Sequence, residues 1–232
     1  MPTFALDTST ASPSLALCRG EDPIAELWLA AEPGSGRRVL EAAHGLLASC
    51  GLAAGDIDEI VVGVGPGGFT GLRIGLATAL GLGQALGVPV TGASSLEALA
   101  LGLAEGADEG ALIVPVLDAR RRELFAAAYR RRVPGLDEAL APVAMSPEDL
   151  AARMRATGEP VVVGGEGLAA ARELLAGPPF TSPPEGSPRH RVGASALVRR
   201  VRAGAGLPAR PVYARLPDAE VNRRRALAAA GA

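Results

Sequence analysis

The sequence contains no lysine, so every one of its 23 basic residues is arginine. A phosphate-loop lysine, a Schiff-base lysine and a serine–lysine dyad each depend on a lysine side chain. These three kinds of catalytic site are therefore excluded.

Cysteine and histidine are scarce, with two residues of each type in the 232-residue chain. Cys18 and Cys50 are too few for a disulfide framework and lack Cys-x-x-Cys spacing. His44 and His190 lie far apart in sequence, and neither belongs to a local cluster of cysteines and carboxylates. No metal site is predicted.

Long apolar runs are also missing, since no stretch reaches the roughly 18 residues that span a bilayer. The first residues, MPTFALDTST, lack the charged and apolar regions of a signal peptide. We therefore expect a cytoplasmic protein without a membrane partner. A net charge of −2 predicts weak direct binding to nucleic acid, and the arginine clusters are expected to be solvated surface, at residues 120–122, 130–132 and 223–225.

Hydrophobic residues make up 48% of the chain and occur in short runs with strand or helix periodicity. The first half predicts a three-stranded meander followed by alternating helices and strands, at residues 3–8, 14–19, 23–30, 37–50, 58–64, 72–86 and 88–94. The second half predicts a strand pair, helices and a further strand, at residues 111–119, 123–130, 147–156, 160–165, 167–176 and 193–203.

The two halves begin alike, because each opens with a strand that ends in Leu-Asp, at Leu6-Asp7 and at Leu117-Asp118. A turn and a second strand follow in both halves, which indicates a duplicated architecture. We therefore predict an α/β fold with mixed sheets flanked by helices. Its two domains are residues 1–105, and residues 106–232 with a flexible C-terminal tail.

The most informative segment is residues 65–75, which read GPGGFTGLRIG between a strand and a helix. Gly63, Gly65 and Gly68 match the dinucleotide fingerprint G-x-G-x-x-G. We reject that interpretation because Pro66 removes an amide donor and no acid ends the following strand.

The helix after this segment carries small residues at every fourth position, and they fall in two rows: Gly71, Gly75, Ala79 and Gly83, and Ala77, Gly81 and Ala85. Glycine inside a helix costs roughly 0.5–1 kcal/mol relative to alanine, so a close contact must offset the loss. One row is explained by packing on the chain's own sheet. Two rows suggest that a second helix, which can belong to another chain, packs on the other side.

The turn Asp7-Thr8-Ser9-Thr10 places an acid and hydroxyls at a strand end, as in the phosphate-binding hairpin of actin-like ATPases. It has no glycine where a phosphate would approach the backbone. A turn held by local hydrogen bonds is an equally good interpretation.

Taken together, four segments resemble the TsaB (YeaZ) family, a subunit of the tRNA threonylcarbamoyladenosine machinery. They read LDTST at 6–10, GPGGFTGLRIG at 65–75, LDAR at 117–120 and PVY at 211–213. The resemblance implies a duplicated actin-like (ASKHA, ribonuclease H-like) fold without ATPase activity. It implies a non-catalytic subunit that binds and activates the transferase TsaD, cooperates with the ATPase TsaE and meets tRNA through the complex.

The resemblance also assigns residues. Helices 37–50 and 72–86 are the expected contact with the transferase, through Arg38, Ala42, Leu46, Leu72, Gly75, Leu76, Ala79 and Gly83. The same face would form a homodimer when the partner is absent. A nucleotide site remains open, through Asp7, Thr8, Ser9, Gly67 and Gly68, with ATP or ADP at the boundary with the partner rather than as a cofactor of the chain alone.

Two alternatives to the subunit function stay open, an ATP-dependent small-molecule kinase of the same fold and a homodimeric interaction protein. The older peptidase label of this superfamily has no support in the sequence, since no protease constellation is present. Two segments depart from the family pattern: Gly68 replaces a usual serine, and residues 34–37 replace a histidine-containing helix start.

Overall fold

A computed structural model describes residues 1–32, 34, 38–133 and 135–214 of the chain. The predicted tail with the arginine cluster at 223–225 lies outside these residues, as do positions 35–37 of the departing segment. In the described part, no helix is both long enough and apolar enough to cross a membrane.

The first half forms a five-stranded mixed sheet, and two of its three helices pack on one face of that sheet. Its elements are β1 (Pro2–Asp7), β2 (Ser14–Arg19), β3 (Asp22–Trp28), α1 (Val39–Ser49), β4 (Glu59–Gly63), α2 (Phe69–Leu86), β5 (Val90–Ala93) and α3 (Ser95–Ala104). The strand order is β3-β2-β1-β4-β5, in which β1–β3 are antiparallel and β4 and β5 run parallel to β1. Strands β1 and β4 are central, which explains their almost unbroken apolar runs.

The second half repeats this topology. Its elements are β6 (Leu112–Asp118), β7 (Leu124–Arg132), β8 (Gly135–Met145), α4 (Pro147–Arg155), β9 (Val161–Gly164), α5 (Leu168–Ala171), β10 (Phe180–Thr181) and α6 (Ala194–Arg200), which continues into a π-helical turn at Val201–Ala205. The order β8-β7-β6-β9-β10 matches that of the first sheet element by element. The predicted α/β class and duplication are therefore confirmed.

The last helix of each half packs on the sheet of the other half. Helix α3 contacts β6, β7 and β9, whereas α6 contacts β1, β2 and β4, and the two helices contact each other. One continuous core results, and residues from both sheets and both helices share it, among them Ala5, Leu99, Ile113 and Leu197. The boundary at 105/106 stays a prediction, but packing crosses it.

Hydrogen bonds reinforce this exchange of helices. The Glu26 carboxylate on β3 accepts the backbone amide and the hydroxyl of Ser195 on α6, at 2.9 and 2.8 Å. The indole nitrogen of Trp28 donates to the carbonyl of Val192 at 3.1 Å. Beyond α6 the chain adds a bridge between Leu207 and Gly92 at β5. Residues 192–212 are thus fastened to the first sheet.

Two elements differ from the sequence-based prediction. Helix α3 was not predicted, because seven of its ten residues are buried and no polar stripe marks a period. Strand β8 was not predicted, because it is an edge strand without strict alternation and contains Pro142. Helix α2 also starts three residues earlier than expected, at Phe69, and ends before Gly87 in the left-handed conformation.

Candidate functional site

The end of β1 carries a buried carboxyl group that is fully engaged by neighbouring hydroxyls. Oδ1 of Asp7 accepts the amide and hydroxyl of Ser9 at 2.8 and 2.5 Å, and Oδ2 accepts the hydroxyl of Ser95 at 2.6 Å. Burial raises the pKa of Asp7 above its ordinary value, although the hydrogen bonds from both serines act in the opposite direction. Asp7 therefore joins its own turn to the first residue of α3.

The glycine loop after β4 closes directly over this turn. The amide of Gly68 donates to the carbonyl of Ser9 at 2.7 Å. A Cβ on Gly67 would lie 2.5 Å from the Cβ of Ser9, and a Cβ on Gly63 would lie 1.9 Å from Oδ2 of Asp7. Residues 63 and 67 must be glycine because their backbone lies against the Asp7 turn and leaves no room for a side chain.

The five residues predicted as a nucleotide site do come together, but they contact one another. Protein atoms fill the space between the turn and the loop, and Asp7, Thr8 and Ser9 are all buried. A phosphate would reach these groups only after the loop separates from the turn. Nucleotide binding stays a prediction that this packing does not favour.

The first small-residue row of α2 faces the interior. A Cβ on Gly71 would lie 2.0 Å from the Thr8 carbonyl oxygen, and one on Gly75 would lie 2.1 Å from Thr8 Oγ1. The hydroxyl of Thr8 also donates to the carbonyl of Gly71 at 2.8 Å. Further along the helix, a Cβ on Gly83 would collide with Val90 of β5. This row exists because α2 lies against its own turn and sheet.

Most of the predicted partner residues lie inside this chain. Six of the eight are buried, namely Leu46, Leu72, Gly75, Leu76, Ala79 and Gly83. The contact with a partner stays a prediction, and burial of these six does not favour it. Of the other two, Arg38 is exposed at the start of α1 and Ala42 is half-buried.

The second row of α2 faces solvent together with several large apolar side chains. Ala77, Gly81 and Ala85 are exposed, and no atom lies within 4 Å of a Cβ built on Gly81. Leu80 on this side of α2 is 47% exposed, and Leu40 of α1 is 55% exposed. An apolar groove of about 180 Å³ lies between the helices, next to Leu40, His44 and Leu86. We call α1, the exposed side of α2 and this groove the α1/α2 face.

An aromatic cluster adjoins the first turn of α2. The Phe69 ring packs on Tyr213 with their centroids 5.8 Å apart, and the guanidinium of Arg73 lies 3.8 Å from the Phe69 centroid. Both rings are more than two-fifths exposed. The amide of Val212 donates to the carbonyl of Val64 at 2.8 Å, which ties this C-terminal segment to the glycine loop. No sequence pattern indicated that residues 69 and 213 are in contact.

The remaining charged candidates form ion pairs at the surface. Arg130 makes two hydrogen bonds to Glu159, and Arg132 pairs with Asp137 at 3.2 Å. Asp118 pairs with Arg120 at 3.2 Å and accepts its amide. These pairs agree with the prediction of solvated surface charge for both clusters.

Two sheets of strand order 3-2-1-4-5, each covered by the last helix of the other half, define the duplicated actin-like ATPase fold. The family model described as "TsaD: tRNA N6-adenosine threonylcarbamoyltransferase" matches residues 31–176. The chain therefore belongs to this family, and proteins similar to it carry the names TsaB and YeaZ.

Two bacterial relatives carry the TsaB name. The chain is 38% identical over 142 residues to a Bacillus subtilis protein named tRNA threonylcarbamoyladenosine biosynthesis protein TsaB, which covers 61% of the chain and 60% of the relative. It is 32% identical to the Escherichia coli protein of the same name over 136 residues, which are 59% of the chain and 58% of the relative. The matched regions thus span about three-fifths of these relatives.

A solved structure titled YeaZ from Pseudomonas aeruginosa superposes with a TM-score of 0.74 at 26% identity. This superposition covers 91% of the chain and 99% of that structure. The structural likeness therefore extends over nearly the whole chain, whereas the match to the family model ends at residue 176.

Proposed function

We propose that this chain is a non-catalytic subunit in the formation of threonylcarbamoyladenosine in tRNA and that it binds and activates a transferase of the TsaD type. The names of the TsaB relatives motivate the pathway. The observation that carries the subunit role is the combination of a closed Asp7 turn with an exposed apolar α1/α2 face.

The Asp7 turn offers no free chemical group. Its carboxyl oxygens already accept three hydrogen bonds, and Gly67 and Gly68 pack on Ser9 where a substrate would have to approach. A general base needs an accessible lone pair within hydrogen-bond reach of its proton. The proposal therefore assigns no reaction to this turn and places any ATP or ADP at the boundary with the partner.

The α1/α2 face has the composition of a protein-binding surface. Leu40 is exposed and lines a groove, Leu80 is exposed on α2, and Gly81 leaves room for close approach by another helix. Clusters of large exposed apolar side chains are uncommon on monomers and mark interaction sites. The transferase is the proposed occupant in the cytoplasm, where TsaE and tRNA join through the complex, and a second copy uses the same face when the transferase is absent.

Depletion of the protein from its own cell tests the pathway. Mass spectrometry of digested bulk tRNA should show loss of threonylcarbamoyladenosine and unchanged levels of unrelated modified nucleosides. An unchanged level of threonylcarbamoyladenosine would refute the proposed function.

Complementation with variants tests the surface. Leu80→Asp should fold normally and fail to restore the nucleoside, because a buried unpaired carboxylate at an interface costs several kcal/mol. Val133→Asp is the matched control, since Val133 is 69% exposed on the opposite half of the chain. Calorimetry with the purified transferase should show weakened binding for Leu80→Asp alone. Equal binding by both variants would show that the transferase contacts another part of the chain.

The kinase alternative has its own test. A kinase should turn over ATP as an isolated chain, and Asp7→Asn should abolish that turnover. The internal bonds of Asp7 favour the opposite result, no turnover in either protein.

A further inference from the structure

A cavity of about 410 Å³ lies between the two halves, apart from the α1/α2 face and the Asp7 turn. Its walls come from the start of α3, the β7/β8 pair, the glycine loop and the segment after α6. A volume of this size is in the range of small-molecule sites. The proposed subunit function does not use it.

Tyr129 on β7 lines this cavity. Its side chain is 1% exposed, and its hydroxyl oxygen has no hydrogen-bond partner that meets geometric criteria among the described residues. Ser94 lies nearby, and its hydroxyl oxygen accepts the amide of Glu97 at 3.3 Å. An unsatisfied buried polar group is rare in native proteins and requires an explanation.

The charged groups around the phenol are mainly carboxylates. Glu97 is neutralised by two hydrogen bonds from Arg200, at 3.1 and 3.2 Å. Glu138 stands directly opposite Tyr129 in the β7/β8 ladder, so both side chains lie on the same face of the sheet. Glu138 makes no ion pair within the described part of the chain. The cavity therefore carries an excess of one negative charge.

Burial and the carboxylates of Glu97 and Glu138 raise the pKa of Tyr129. The phenol consequently stays protonated at neutral pH, and its oxygen can accept a hydrogen bond from a ligand. The other walls are apolar or backbone, with Pro66, Leu207 and Val212 among them.

We propose that this cavity binds a small organic cation, a primary ammonium on a short apolar body. The ammonium lies between the Glu138 carboxylate and the Tyr129 hydroxyl, and the apolar body contacts Pro66, Leu207 and Val212. An anion would meet the unpaired Glu138 carboxylate, and the Arg200 guanidinium is already bound by Glu97. This site is independent of the proposed transferase contact, so either proposal can fail without the other.

Tyrosine-specific NMR on the full chain provides the test, because the protein has two tyrosines and Tyr213→Phe leaves Tyr129 as the single signal. n-Butylammonium is the probe, and 1-butanol and butyrate at equal ionic strength are the matched neutral and anionic controls. A probe this small should bind with a Kd of roughly 1–10 mM. We expect a saturable shift of the Tyr129 signal with butylammonium, and at least about tenfold weaker effects with the other two.

Variants then assign the contacts, with binding measured by ligand-observed NMR. Glu138→Gln should weaken butylammonium binding about fivefold, whereas Asp137→Asn should not, since the neighbouring Asp137 pairs with Arg132 and does not line the cavity. Tyr129→Phe retains the ring and should also weaken binding. No saturable shift, equal binding of 1-butanol, or wild-type affinity in both Tyr129→Phe and Glu138→Gln would overturn the proposal.

Discussion

Replacing Gly75 with alanine tests whether the inner row of α2 exists for contact with the Asp7 turn. The new methyl group would lie 2.1 Å from Oγ1 and 3.3 Å from Cβ of Thr8. Overpacking a fitted site costs about 1–3 kcal/mol, and loss of the bond from Thr8 to the Gly71 carbonyl adds about 1 kcal/mol. The better helix propensity of alanine returns only about 0.5–1 kcal/mol. The variant should therefore be less stable by roughly 1–3 kcal/mol.

Gly81→Ala on the same helix is the matched control, because nothing lies within 4 Å of the added methyl. It should gain about 0.5–1 kcal/mol from helix propensity alone. Since 1 kcal/mol shifts Tm by about 2–4 °C in a domain of this size, thermal unfolding should show a decrease of about 3–10 °C for Gly75→Ala and an increase of about 1–4 °C for Gly81→Ala. Equal Tm values, or the reverse order, would refute the assignment of inner and outer rows.

Three further predictions concern groups inside the fold. Glu26→Ala should lower the free energy of unfolding by about 1–3 kcal/mol in denaturant titrations, since it leaves the amide and hydroxyl of the buried Ser195 unpaired. An unchanged midpoint would contradict that role. Burial raises the pKa of Asp7 above its ordinary value of 3.8. The stability that the Asp7 carboxyl contributes is therefore complete below pH 3.8 and declines as pH rises through the pKa of the folded state. The free energy of unfolding of Asp7→Asn should consequently increase relative to that of wild type between about pH 4 and pH 7. Cys50 should react with a thiol reagent in the folded protein while Cys18, whose pKa burial raises to about 11, reacts only after unfolding, and equal rates would contradict the packing of β2.

Most elements other than α3 and β8 followed from the sequence because central strands and amphipathic helices have distinct periods. Strands β1, β4 and β6 are nearly continuous apolar runs, and α1 keeps Val39, Ala43 and Leu46 on one face. The exchange of α3 and α6 between the sheets did not follow, because the residues that decide it are far apart in the chain. Glu26 and Ser195, for example, are separated by 169 positions.

The sequence also showed that α2 has two small-residue rows, but it did not show which row faces outward. That choice depends on Thr8, whose contact with Gly71 joins residues 63 positions apart. Glycine and alanine carry little polarity, so the usual contrast between a core face and a solvent face was absent. Three of the predicted partner residues, Gly75, Ala79 and Gly83, therefore fell on the buried row, and none fell on the exposed one.

The hydrogen bonds of the closed Asp7 turn explain the role of an acidic residue at a position to which no reaction is assigned. Ser95 is the first residue of α3, and its hydroxyl both donates to Asp7 and accepts the amide of Gly65 at 3.2 Å. The amide of Ser95 in turn donates to the carbonyl of Gly65 at 3.0 Å. The carboxyl group thus joins three elements: the turn after β1, the glycine loop that leads into α2, and the helix that packs on the second sheet. An acid in this position can be structural because it holds the α1/α2 face in register with the core shared by both halves.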